Sequence, residues 1–92
     1  MYYECHITIA LHPVSAKSLI AALNGWHFSC IEGDPVLKDH SYEYATRHAS
    51  SNTPFEDVVA HMNRTADILR DQGFPVVRQK VELVMYDTKG KE

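Results

Sequence analysis

The strongest constraint on folding in this sequence is a switch between period two and period 3.6, made four times along 92 residues. Residues 2–10, YYECHITIA, alternate as a strand: Tyr3, Cys5, Ile7 and Ile9 on one side, Glu4, His6 and Thr8 on the other. Ser15 can cap a helix in which Ala16, Leu19, Ile20 and Leu23 follow helical spacing, with a stop at Asn24-Gly25. Residues 26–31, WHFSCI, alternate again, and the turn at residues 32–35 (EGDP) opens a loop through Asp39. Residues 41–49, SYEYATRHA, are rich in aromatic and β-favouring side chains and predict a third strand. Thr53-Pro54-Phe55-Glu56 has the form of a capping box with proline in the first helical position. Behind it, Phe55, Val58, Val59, Met62, Ala66 and Leu69 mark one helical face that ends at Gly73. Residues 75–87 alternate as a last strand, with Val77, Val81, Leu83 and Met85 opposed to Arg78, Lys80, Glu82 and Tyr86.

The resulting order is β-α-β-β-α-β. With right-handed crossovers it predicts an α+β, ferredoxin-like sandwich: a four-stranded antiparallel sheet in spatial order 4-1-3-2, with two helices on one face. The length suits a single domain over residues 1–92, of which 88–92 form a polar tail.

The formal net charge of −3 disfavours a protein that coats nucleic acid through phosphate contacts, which needs a clustered positive excess. No apolar run approaches the length of a membrane span, and MYYECH does not begin like a signal peptide. Cys5 and Cys30 make neither a disulfide framework nor a close-spaced metal motif, and a cytoplasmic setting is expected. Both are expected to be core thiols. The six histidines include no His-x-His pair, and His61 has Thr65 four residues on, so no metal site and no cofactor are expected.

The helical layer should take Cys5, Ile7, Ile9, Trp26, Phe28, Cys30, Val81 and Leu83, leaving the other sheet face open. On that face strands one and four bring together Glu4, His6, Thr8, Arg78, Lys80 and Glu82. The third strand contributes either Glu43, Ala45 and Arg47 or Tyr42, Tyr44, Thr46 and His48. The first set is favoured, because burying Glu43 and Arg47 under helices would be costly. His6 with Arg47, Arg78 and Lys80 would make an anion-binding patch: guanidinium groups grip phosphate or carboxylate bidentately, and an imidazole titrates near neutral pH. Glu4 and Glu82 would complete the ligand-binding set. The competing expectation is a solvated face of cross-strand ion pairs, or a homodimer contact.

The stretch HITIAL, residues 6–11, resembles the His-x-Thr motif of the 2H phosphoesterases. In that family two such motifs, on strands of two related lobes, face each other across a groove. The resemblance implies His6 as the proton-transfer residue and Thr8 as a phosphate binder. It also implies that a symmetric dimer bringing two copies of His6 together would rebuild the paired site; His6 and His27 of one protomer are the alternative pair. The function expected is therefore binding or processing of a small phosphate-ester-like anion by a homodimer, with a non-enzymatic interaction or homodimerisation module as the alternative.

Overall fold

The computed structural model describes residues 1–10, 12–32 and 41–85. Its elements are β1 (Tyr2–Ala10), α1 (Lys17–Ala22), β2 (His27–Glu32), β3 (Ser41–Ser50), α2 (Phe55–Asp71) and β4 (Val76–Val84). All strand pairs are antiparallel, and the sheet runs β2-β3-β1-β4, which is 4-1-3-2 when read from the β4 edge. The loop expected after Glu32, His40, Tyr86 and the tail at 88–92 lie outside the described residues.

One face of the sheet is closed by a single buried cluster. Cys5, Ile7 and Ile9 of β1 and Ala45 and Ala49 of β3 meet Ala16 and Ile20 at α1, and Val58, Met62, Ala66 and Leu69 of α2. Trp26 and Phe74, from the connections, seal the two ends. Ile7, Ile9, Ile20 and Leu69 are fully buried, and each such side chain contributes about 1.5–3 kcal/mol of apolar transfer.

Helix α2 starts one residue later than the capping box predicts. Pro54 stands at the N-cap in extended conformation (ψ 134°), and no side chain caps the helix. Pro54 instead offers its carbonyl to the Asp57 and Val58 amides, and Glu56 and Asp57 place negative charge against the positive end of the helix dipole. At the other end Gly73 takes φ +89°, which lets Phe74 donate its amide back to the Leu69 carbonyl at 3.0 Å and turn its ring into the core. Phe55, expected in the buried stripe, is half exposed, with its ring 5.9 Å from that of Tyr3.

Four expectations about facing need correction. Glu43, Ala45 and Arg47 lie opposite Ile9, Ile7 and Cys5 and therefore point to the helical side; Tyr42, Tyr44, Thr46 and His48 take the open face. Burial of Glu43 is tolerated because its carboxylate is satisfied: Ser15 Oγ donates to one oxygen, and the Ala16 amide donates to the other at 2.9 Å. Cys30, at the β2 edge, is exposed rather than part of the core, and Leu83 on the β4 edge is nearly half exposed. Finally, a β-bulge breaks the alternation of β4. Thr8 pairs with Arg78 but Ile9 pairs with Val76, so Val77 has no partner and is exposed while Val76 packs against the core.

Candidate functional site

Three rows of side chains cross the open face. Thr8 lies between Tyr44 and Arg78, His6 between Thr46 and Lys80, and Glu4 between His48 and Glu82. Strand β2 extends the first two rows with Ser29 beside Tyr44 and His27 beside Thr46. The twist of the sheet and the length of the flanking side chains leave a depression of about 220 Å³ over the first two rows. Thr8 forms its floor, Ser29, Tyr44 and Thr46 one wall, Arg78 and Lys80 the other, and His6 one end.

Thr8 is 4% exposed, yet its hydroxyl makes no side-chain hydrogen bond among the described residues, while no buried polar atom there is left without a partner. Its oxygen therefore opens into the depression. Arg78 likewise makes no ion pair or side-chain hydrogen bond among the described residues, so its guanidinium is uncommitted. Lys80 differs, because its Nζ lies 3.1 Å from Glu82 Oε1.

The third row is a carboxylate–imidazole cluster. His6 Nε2 lies 2.7 Å from Glu4 Oε1 and 3.6 Å from Glu82 Oε1, and His48 Nε2 lies 3.0 Å from Glu4 Oε2. The other ring nitrogen of His6, Nδ1, is 3.1 Å from Thr46 Oγ1. With Nε2–H donating to Glu4, a neutral His6 ring accepts from the Thr46 hydroxyl, so both nitrogens are oriented. Partial burial raises the Glu4 pKa, but the hydrogen bonds from His6 and His48 and the attraction of their rings outweigh it, and the carboxyl is held below its ordinary 4.5.

Of the residues expected at the site, His6, Thr8, Arg78 and Lys80 come together around the depression. Glu4 and Glu82 stand beside it in the carboxylate–imidazole cluster. Arg47 does not belong: it projects to the helical side, where its Nε lies 3.5 Å from the place a Cβ would occupy at Gly25. Ser29, which alternation places on the side of β2 opposite Phe28 and Cys30, is a lining residue not expected at the site, whereas Tyr44 and Thr46 come with the less favoured of the two facings of β3. That facing swaps one arginine for two hydroxyl residues and makes the pocket less basic.

A second hollow, about 230 Å³ and mainly apolar, lies on the helical side by Leu23, Trp26, His61 and Ile68. There the Trp26 indole N–H donates to His61 Nε2 at 3.3 Å and the two rings stack within 5°. Burial, and then the charges of Arg47 and Arg64, push the His61 pKa below its ordinary 6.5.

The chain has no match among protein-family models, curated proteins or solved structures.

Proposed function

We propose that this ferredoxin-like domain binds a small phosphate-ester-like anion in the open-face depression, with His6 placed to move a proton at one end of it. The observation that carries this reading is the pairing of an uncommitted guanidinium, Arg78, with an open hydroxyl, Thr8, on adjacent strands above one floor. A phosphoryl group fits that pair: Arg78 offers a planar fork of donors, Thr8 offers a hydroxyl, and Lys80 adds a point charge. His6 borders the same volume with its ring oriented by Glu4 and Thr46, and it would act as a general acid or base by exchanging its Thr46 contact at Nδ1 for the ligand. The His-x-Thr resemblance supports the same two roles, since His6 and Thr8 share a face and project into one pocket.

The test is titration of the full chain with inorganic phosphate, phenyl phosphate and a 2′,3′-cyclic nucleotide, followed by amide chemical shifts and by product formation. Binding should move the amides of Thr8, Thr46 and Arg78. Arg78→Ala should weaken binding about tenfold or more, the cost of one charge-assisted contact. His6→Ala should spare binding but remove any turnover. Shifts that miss these residues, or an Arg78→Ala variant that binds as well as the native chain, would refute the reading.

A second reading, self-association, is favoured by one feature: the edge strand β4 exposes Val77 and Leu83, and Met85 follows them. Solution mass over a concentration series, with Leu83→Lys as the disrupting variant, separates it from the first.

A further inference from the structure

We propose that Glu4, His6 and Glu82 form a binding site for a divalent first-row transition ion of the zinc type, held on the open face beside the anion pocket. Glu4 and Glu82 are direct register partners on adjacent strands. Like charges so placed repel, and a sheet that keeps them gains from a cation between them. His6 Nε2 lies where the two carboxylates converge, and one ligand atom from each of the three residues falls within 4.8 Å of the other two.

The spacing suits a small ion. Ligands about 2.0–2.2 Å from zinc in tetrahedral array stand about 3.3 Å from one another. The observed separations from His6 Nε2, 2.7 Å to Glu4 and 3.6 Å to Glu82, bracket that value. To admit the ion, the His6–Glu4 pair would open by about 0.6 Å and the two carboxylate oxygens, at most 4.8 Å apart, would close to a similar spacing.

An independent observation is the ring of contacts outside the three ligands. His48 holds the Glu4 oxygen that would not face the ion, and Thr46 Oγ1 lies on Nδ1 of His6. A metal-bound imidazole characteristically donates its other N–H to an oxygen, and such outer partners fix ring orientation. On the outer side, Glu82 is nearly half exposed and Glu4 and His6 a quarter exposed, so positions remain for solvent or substrate oxygen. One imidazole nitrogen with two carboxylate oxygens matches zinc, manganese or ferrous ions better than calcium or magnesium. Two carboxylates would neutralise the ion, and Lys80 would be released from Glu82 towards the anion pocket.

This site stands apart from the anion reading and competes with part of it. An ion on Nε2 removes that nitrogen from proton transfer, so the loaded and free forms would treat His6 differently.

The test is calorimetry of the metal-free full chain with Zn²⁺ alone, and visible absorption with Co²⁺ as a probe of geometry. One ion per chain is expected. Glu82→Gln and His6→Asn should each weaken Zn²⁺ binding by more than about 100-fold, beyond the 10–100-fold typical of losing an outer partner. Thr46→Val should cost about tenfold, and His12→Ala should change nothing. Lys80→Met, which frees Glu82 from its competing ammonium, should tighten binding a few-fold. Glu82 is an exposed strand residue, so Glu82→Gln tests the site even if His6→Asn perturbs folding. No Zn²⁺ bound by the native chain, or unchanged binding in Glu82→Gln, would overturn the proposal.

Discussion

His61 shows how one side chain can tie stability to pH. Its Nε2 accepts from the Trp26 indole, which requires a neutral, unprotonated nitrogen there, and the Arg47 and Arg64 charges face the same ring. The folded pKa lies below 6.5, so between that value and 6.5 the unfolded chain holds more protons than the folded one. Stability from this group is therefore present above pH 6.5 and is lost as pH falls through the folded value. Denaturant midpoints should drop on acidification below pH 6.5, and the drop should be smaller in His61→Gln, which keeps an acceptor but does not titrate. Glu4, whose pKa is also held down, adds an acid-side loss near and below 4.5 that His61→Gln leaves in place. The sequence gives no sign of the His61 role. The residue looked like a lone imidazole on a helix, and the contact that defines it spans 35 positions in the chain.

Among the elements, β3 is where inference from sequence and the folded arrangement part. The strand itself was readable from its aromatic and branched residues, but its facing turned on what could be buried. The donors that offset the cost of burying Glu43 are not local: the Ser15 hydroxyl and Ala16 amide arrive from 28 and 27 residues away. Helix α1, only six residues long and without a side-chain cap, could not persist by itself. Glu43 fastens its leading end to the sheet. Glu43→Ala should destabilise the protein by about 3 kcal/mol in urea titrations, the scale of losing charge-assisted hydrogen bonds in a buried setting, and should speed amide exchange across residues 17–22. Glu43→Gln, which keeps part of the hydrogen bonding, should cost less. Helix α2 was more legible because its apolar stripe and its glycine stop are local signals, whereas the start depends on a proline whose ψ the sequence does not fix.

For the molecule as a whole, period switching was enough to read the order of elements and which face of β1 is covered, since both follow from alternation and chain direction. Less legible were the edges, where an apolar residue need not be buried: Cys30 and Leu83 sit on the outer strands of the sheet and, among the described residues, are exposed. The two cysteines make this difference measurable. Cys30 is exposed, whereas Cys5 is fully enclosed, and burial raises its thiol pKa, an effect that the nearby Arg47 charge only partly offsets. A thiol reagent should therefore modify Cys30 rapidly in the native protein, and Cys5 only at the rate of opening, the slow phase growing with added urea. Fast modification of both would mean that the covered face of the sheet is not closed.

The unpartnered Val77 has a consequence for the cations downstream of it. Val76 and Arg78 are both even-numbered, yet one is inserted among the helices and the other hangs over Thr8, an assignment that strict two-residue alternation forbids. The extra residue works as a dislocation: it lets the chain leaving α2 anchor a valine without rotating the guanidinium away from the depression over Thr8. A chain one residue shorter at this point would have to surrender either the anchor or the charge.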